Sequence, residues 1–282
     1  MKQRNVSIPM LKVMKQRNEK IICLSCYNYS IGIVLDRAEV DMVVVGDSVG
    51  MVELGYDTTM PVVMDEIIHH AKAVVKACKY PLVIGDMPFG SYNVSEEQAI
   101  VNANRLMKEA GVDAVSLEGG NSVAKTIKAI IKAGIPVMGH IGLTPQTISQ
   151  LGGYKVQGKS FSEAKELIDT SIMLEEIGVF ALELECIPWV VSKTISEKLK
   201  IPTIGIGSGA NCDGQGLVIN DVLGLYDKPP KFAKRYVNLS EIIFDSIQKY
   251  IKEVKEGSFP NSEHSFEMSD NKELTSFKTF YK

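Results

Sequence analysis

The chain has 282 residues, 31 basic and 34 acidic, with a net charge of −3, 45% hydrophobic and 23% charged residues, which suits one large folded domain with a sizeable core. No Lys/Arg block or basic stripe with interleaved aromatics offers a footprint for nucleic acid or an anionic membrane. No apolar run approaches the ~20 residues of a membrane helix, and the N-terminus "MKQRNVSIPMLK" lacks the apolar core of a secretory signal, so a cytoplasmic protein with small-molecule partners is expected.

Short apolar runs alternate with amphipathic stretches of helical length along the chain, the pattern of repeated βαβ units. The first run, "IICLSCY" from Ile21, contains Cys23 and Cys26 as a CxxC. No second Cys/His pair stands at zinc spacing, and Cys78, Cys186 and Cys212 complete no disulfide framework, so the cysteines read as small buried hydrophobes. The second run, "DMVVVGD" from Asp41, leads into a long connection, "SVGMVELGYDTTMPVVMD". The helix beyond it carries "EIIHH", with Glu66 and His69 three apart. That is half of a carboxylate-bridged two-metal motif without a second copy, and it reads as helix surface or packing.

"YPLVIGD" from Tyr80 and "VDAVSLE" from Val112 are the third and fourth runs, separated by a helix whose start, "SEEQ" at Ser95 to Gln98, has capping-box form. The fifth, "IPVMGH" from Ile135, precedes a second long connection, "LTPQTISQLGGYKVQGKSF", and another capping box, "SFSE" at Ser160 to Glu163. Connections this long in a compact domain usually serve binding. "VFALELE" from Val179 comes sixth and is followed by Trp189, which reads more readily as packing than as the border of a ligand site. The seventh, "IPTIGIG" from Ile201, opens the glycine-rich "GIGSG", either an anion cradle or a tight turn. "GLVIND" from Gly216 is the eighth. Beyond Gly257 the chain turns polar and serine-bearing, and His264 there reads as a subunit or barrel-closing contact.

Continuous apolar strands imply burial on both faces, as in parallel sheets covered by helices. Eight such units without a break in composition point to an α/β fold, a single-domain (β/α)₈ TIM barrel over residues 1–256 with an extension at 257–282 on the surface or at a subunit contact. An open doubly wound sheet is the alternative. In a barrel the active site lies at the C-terminal ends of the strands. Here successive strands end in Asp47, Asp86, Glu118, His140 and Glu185. Carboxylates brought together must share protons or hold a cation, and oxygen-only ligation selects a hard ion such as Mg²⁺. Helix capping is the competing reading for each acid taken singly.

The blocks "VVVGDSVGMVELGYDTTMPV", "GDMPFGSY", "LEGG", "GHIGLTPQ", "GGYKVQGK", "LELECIP", "IPTIGIGSG" with "CDGQ", "PKFAKRY" and "FPNSEHSF" follow one another over about residues 8–266. In this order they resemble the ketopantoate hydroxymethyltransferase family. The resemblance implies a (β/α)₈ barrel, a homo-oligomer (commonly a decamer), and transfer of a one-carbon unit from 5,10-methylenetetrahydrofolate to the 2-oxo acid α-ketoisovalerate in pantothenate biosynthesis. By motif it implies Asp47, Asp86 and Glu118 as Mg²⁺ ligands, with Asp47, Ser48 and Asp86 as substrate contacts. It also implies Glu185 as the catalytic acid/base, with His140 lining the pocket.

Where that family's pattern has Lys two residues before the metal-site Glu, this chain has Ser116, which strand alternation still aims into the site. Glu183 stands where the family usually has an apolar residue and shares its face with Glu185, so the pocket loses a cation and gains an acid. Asn28, Gly216 and Asn220 also depart from the pattern. Two other readings are a paralogue with aldol or C–C lyase chemistry on another 2-oxo acid, motivated by Ser116 and Glu183, and a catalytically silent metabolite-binding barrel.

Overall fold

The computed structural model describes residues 5–226 and 229–281. Eight strands, β1 (Ile21–Ser25), β2 (Met42–Val45), β3 (Leu82–Asp86), β4 (Ala114–Glu118), β5 (Val137–Gly142), β6 (Ala181–Glu185), β7 (Thr203–Ile206) and β8 (Gly214–Leu217), pair in chain order. All pairs are parallel, and β8 returns to β1 to close the barrel. The doubly wound alternative is thereby excluded. The eighth strand begins two residues earlier than the apolar pattern suggested, because Gly214 pairs with both Ile204 and Ile21. Asn220 and Asp221 belong instead to a short helix, α10 (Ile219–Leu223), since α1 to α9 precede it as α1 (Ile8–Gln16), α2 (Tyr29–Arg37), α3 (Val49–Val52), α4 (Met64–Ala77), α5 (Glu96–Arg105), α6 (Ala124–Lys132), α7 (Ile148–Leu151), α8 (Phe161–Ile177) and α9 (Trp189–Lys198).

Alternation along each strand divides the apolar residues between two cores. Val43, Val45, Val83, Val115, Leu117, Leu182 and Leu184 pack outward against the helices. Cys23, Met42, Ile84, Ala114, Met138, Ala181 and Ile204 fill the barrel itself, and α1 plugs its base with Leu11 and Met14. Asp213 anchors that plug, taking Lys15 Nζ at 2.6 Å and the Thr203 N–H at 2.8 Å. Asp41 and Asp113 likewise accept the N–H groups of Ile22 and Val83, each at 2.8 Å. Acids at strand beginnings thus satisfy backbone donors that parallel pairing leaves open.

The stagger of ~one residue per strand in such a barrel stacks inward side chains in layers of four drawn from alternate strands. Applied to the observed register, Cys23, Ile84, Met138 and Ile204 form an apolar floor; Val44, Ser116, Glu183 and Gly216 lie above it; Ser25, Asp86, His140 and Ile206 come next. Glu118 and Glu185 rim the mouth. Three of the departures from the family pattern, Ser116, Glu183 and Gly216, therefore occupy a single layer.

Helix starts follow the sequence in part. Ser160 and Glu163 form the full capping box of α8, whereas Ser95 accepts from Gln98 N without the reciprocal bond. Asn28 caps α2 through its Oδ1, which accepts from Ile31 N. The outer face of β1 and β8 is open, with Ile22 46% exposed and Gln215 also exposed. The long helix that follows the barrel, α11 (Leu239–Glu256), has no buried residue and shows Ile243, Phe244, Ile247, Tyr250 and Val254 to solvent. Helix α12 (Asn271–Phe280) is similarly exposed, and His264 contacts its local neighbours Asn261 and Phe259.

Gly142 is the tightest joint between the strands that carry the site. Its φ is +99°, and a Cβ there would sit 2.2 Å from the Glu185 carbonyl oxygen, which accepts from Leu143 N. Gly142→Ala is expected to destabilise the protein by at least about 2 kcal/mol, read as a lower midpoint in thermal or urea unfolding.

Candidate active site

The ends of β2 to β6 deliver Asp47, Ser48, Asp86, Ser116, Glu118, His140 and Glu185 into one cavity of about 830 Å³. All the residues anticipated from the sequence are therefore brought together, and Glu183 joins them. The Asp47 backbone N–H points at Asp86 Oδ2 at 3.5 Å, and Ser116 Oγ donates to Asp86 Oδ1 at 2.6 Å. Ser48 Oγ is held 2.8 Å from the Tyr27 hydroxyl. Just past the mouth, Cys186 adopts φ +49°, a left-handed backbone that a non-glycine residue takes only where surrounding contacts impose it. Cys186 N donates to the Ile206 carbonyl at 2.8 Å, which fixes the end of β6 and with it Glu185.

His140 stands in the midst of the acids, and Lys155 and Lys231 also line the cavity. The Nδ1 of His140 lies 3.9 Å from both Glu118 Oε1 and Glu183 Oε2, and its Nε2 lies 3.1 Å from Glu185 Oε2, though out of line for a hydrogen bond. Burial works against an imidazolium here, yet Glu183, Glu185 and Glu118 outweigh it and hold His140 well above the usual histidine range. Burial raises Asp47 well above an ordinary carboxylate, with repulsion from Asp86 adding to it. Asp86 and Glu118 are raised for the same first reason, and His140 partly offsets both. Desolvation pushes Glu183 up to about 7.

The sequence reading missed Gln146, although it lies inside "GHIGLTPQ". Its backbone N–H donates to Glu118 Oε2 at 2.9 Å and its Nε2 donates to Asp47 Oδ2 at 2.9 Å, while its Oε1 accepts from the Tyr92 hydroxyl at 2.6 Å. A neutral amide thereby spans two carboxylates and fixes both. Only its place in the long connection after β5 could have pointed to it, because an isolated Gln carries no periodic signal.

Other sequence readings resolve locally. "GIGSG" is a tight turn: Gly207 and Gly209 take φ +64° and +86°, and Ser208 Oγ accepts from Ile187 N and donates to the Leu184 carbonyl. Trp189 is 61% exposed, contrary to the packing role expected of it, because it opens α9 at the rim above that turn. Glu66 accepts from the Tyr56 hydroxyl and from Val63 N, so with His69 it forms part of the helix surface and its packing. The cysteines are free, and all but the half-buried Cys186 are buried.

Among the described residues, no three His, Cys, Asp or Glu side chains form a ready-made ion cage. The donor set nevertheless fits a hard cation. Mg²⁺ is commonly held by one or two carboxylates, with waters or substrate oxygens completing its shell. Asp47 and Asp86 meet at the mouth with a shared excess of negative charge that such an ion would relieve.

The family model described as Ketopantoate hydroxymethyltransferase matches residues 5–262. A protein of Moorella thermoacetica named 3-methyl-2-oxobutanoate hydroxymethyltransferase is 53% identical over 262 residues, covering 93% of this chain and 97% of its own. One of the same name from Heliobacterium modesticaldum is 50% identical over 268 residues, covering 95% and 97%. Among solved structures, phosphonopyruvate hydrolase in complex with oxalate and Mg²⁺ superposes with a TM-score of 0.59 at 10% identity, covering 98% of this chain and 97% of that one. A phosphoenolpyruvate phosphomutase from Streptomyces platensis subsp. rosaceus does so with a TM-score of 0.59 at 14% identity, over the same shares. These two likenesses bear on the barrel fold alone.

Glu183 yields a test of the electrostatics that needs no substrate. A carboxylic acid whose folded pKa lies above its unfolded one binds more protons when folded, so its contribution to stability falls as pH rises from the unfolded value to about 7. Burying an ionised carboxylate that accepts no hydrogen bond costs free energy, and that cost grows as the group ionises. Glu183→Leu is expected to raise Tm, with a larger gain at pH 8 than at pH 5, measured by thermal melts without added divalent ions.

Proposed function

Since this chain belongs to the ketopantoate hydroxymethyltransferase family, it is an enzyme that transfers a hydroxymethyl group to 3-methyl-2-oxobutanoate in pantothenate biosynthesis, and we propose 5,10-methylenetetrahydrofolate as its one-carbon donor and Mg²⁺ as its metal. The observation that carries the assignment of roles is the meeting of Asp47, Asp86, Glu118, His140 and Glu185 in one cavity at the barrel mouth. Asp47 and Asp86, backed by Glu118, are the groups to hold Mg²⁺. When bound, the ion supplies Lewis-acid polarisation of the 2-oxo group and steadies the charge that develops there.

Glu185 is the base that takes the proton from C3 of the 2-oxo acid. His140 Nε2 stands 3.1 Å from its carboxylate. Ser48, set by Tyr27, and Ser116, set against Asp86, orient the substrate's oxygens. Gln146 keeps Asp47 and Glu118 in place without adding charge. The carbon so activated bonds to the one-carbon unit of the folate; one water enters overall, and tetrahydrofolate and 2-dehydropantoate leave.

The assembly is proposed to be a homo-oligomer, a decamer by the resemblance already drawn. In support, α11 carries an apolar stripe that is exposed among the described residues, and the outer face of β1 and β8 is likewise exposed there. No described helix is long and apolar enough to cross a membrane, and a biosynthetic role suits the cytoplasm. The lyase reading rests on Ser116 and Glu183, which alter the charge below the site while leaving the rim acids in place.

Wild-type protein with Mg²⁺, 3-methyl-2-oxobutanoate and 5,10-methylenetetrahydrofolate is expected to form 2-dehydropantoate, and chelation is expected to abolish it. Glu185→Gln should lower kcat by roughly 10²–10⁴-fold. Absence of product from a folded, Mg²⁺-loaded wild type would overturn the reading, and loss of C3 deuterium exchange as well would favour the silent barrel. Ile247→Asp, on the exposed stripe of α11, is expected to shift the species seen by mass photometry toward monomer; an unchanged mass would remove α11 from the assembly.

A further inference from the structure

The cavity at the barrel mouth is larger than one small acid needs. Its volume of about 830 Å³ is that of a pocket for a drug-sized molecule, and a branched 2-oxo acid seated on the acids of β2 to β6 leaves most of it free. Part of the remaining lining comes from the side of β8 and β1, where α10 follows β8 and is tied to β1 by the bond from Ile219 N to Ser25 Oγ at 3.0 Å. Asp221, in α10, lines the cavity there and is 3% exposed. The Tyr226 hydroxyl donates to its Oδ1, and among the described residues no donor makes a hydrogen bond to its Oδ2. Burial raises this carboxyl above its ordinary range, with the Tyr226 bond working against it. Outside the cluster of acids, the other carboxylate that lines the cavity among the described residues, Asp57, is exposed. Met51, Val52, Val218 and Phe232 give the cavity apolar and aromatic walls.

A buried carboxylate oxygen without a donor is costly, and in a native fold it calls for the partner that completes it. The donors that the two reactants carry decide which one that is. As an anion, 3-methyl-2-oxobutanoate has no N–H or O–H to give. The pterin ring of a tetrahydrofolate presents N3–H and a 2-amino group side by side, a pair that matches the two oxygens of one carboxylate. That donor edge and the N5 from which the methylene bridge hangs lie toward opposite ends of the fused rings. A ring held by its donor edge beside β8 therefore turns its reactive end toward the acids and the C3 that Glu185 addresses.

We propose that Asp221 anchors the one-carbon donor by accepting the N3–H and 2-amino hydrogens of its pterin ring, with Tyr226 holding the carboxylate in position. The inference deepens the proposed function and rests on it for the identity of the donor. A buried acceptor of this kind discriminates strongly against an analogue that lacks the donor, because the analogue leaves the charge unpaired.

The test is calorimetric titration of the Mg²⁺-containing full chain with 5-formyltetrahydrofolate, 6-methylpterin and 6-methyllumazine, the last bearing an oxo group in place of the 2-amino group, and with 3-methyl-2-oxobutanoate as the control. Wild type is expected to bind 6-methylpterin roughly tenfold more tightly than 6-methyllumazine. Asp221→Asn and Asp221→Ala, shown to be folded by melting curves, should weaken 5-formyltetrahydrofolate roughly ten- to hundredfold and erase the pterin margin, while 3-methyl-2-oxobutanoate keeps its affinity within about twofold. A wild-type margin below about twofold overturns the proposal without recourse to any variant. So does an unchanged affinity for 5-formyltetrahydrofolate in a folded variant, or an equal loss of both reactants, which would make Asp221 a support of the mouth and nothing more. If 3-methyl-2-oxobutanoate is converted and no pterin margin exists, the reading of the reaction stands and this one fails; if the margin and its loss hold and no 2-dehydropantoate forms, the reverse is true.

Discussion

The molecule is organised around a crowd of carboxylates that a closed barrel forces together out of water. Asp47, Asp86, Glu118, Glu183 and Glu185 share one mouth with a single histidine. Coulomb repulsion at such separations is several times stronger than in bulk water, so the site can persist only if protons, donors or a cation offset it. The neutral donors are placed accordingly: Gln146 between Asp47 and Glu118, and Ser116 against Asp86. His140 sits among the three glutamates, where one imidazolium serves several carboxylates at once.

That crowding is possible because the scaffold is rigid below and around it. The floor of Cys23, Ile84, Met138 and Ile204 is a dry packed layer, and α1, pinned by Lys15 to Asp213, closes the base. Outside, the Val and Leu residues of the opposite strand faces bind the helices to the sheet. Stability lost at the mouth is thus made good elsewhere, which is the usual relation between a functional site and its fold. The same logic accounts for the left-handed Cys186 directly after Glu185, a local strain held by the ladder bond to Ile206.

Much of this was legible in the sequence because barrels couple position to function so tightly. An apolar run that ends in an acid places that acid at the barrel mouth, which is why the meeting of Asp47, Asp86, Glu118, His140 and Glu185 in one cavity could be anticipated from their places at strand ends. Residues whose role depends on a loop's path were not. Gln146 reaches the site from the turn after β5, and no spacing announces it. Trp189 looked like core by type, yet the helix it begins stands at the rim. The eighth strand was misplaced because its apolar run is broken by Gly214 and Gly216, where pairing with β1 and β7, and not hydrophobicity, defines the strand.

The layered geometry also sets the residues that depart from the family pattern apart from the rim of the site. The rim acids Glu118 and Glu185 and the layer of Asp86 and His140 lie above Ser116, Glu183 and Gly216. The lower layer reaches the groups above it through two contacts, Ser116 with Asp86 and Glu183 with His140. Because the four residues of a layer meet near the barrel axis, they are not independent: exchanging a long cation for Ser116, and an aliphatic side chain for Gly216, makes room and removes charge just where Glu183 adds it. Identity near 50% to the named relatives fixes the family. Ser116, Glu183 and Gly216 set the charge and the space of the layer beneath the rim acids.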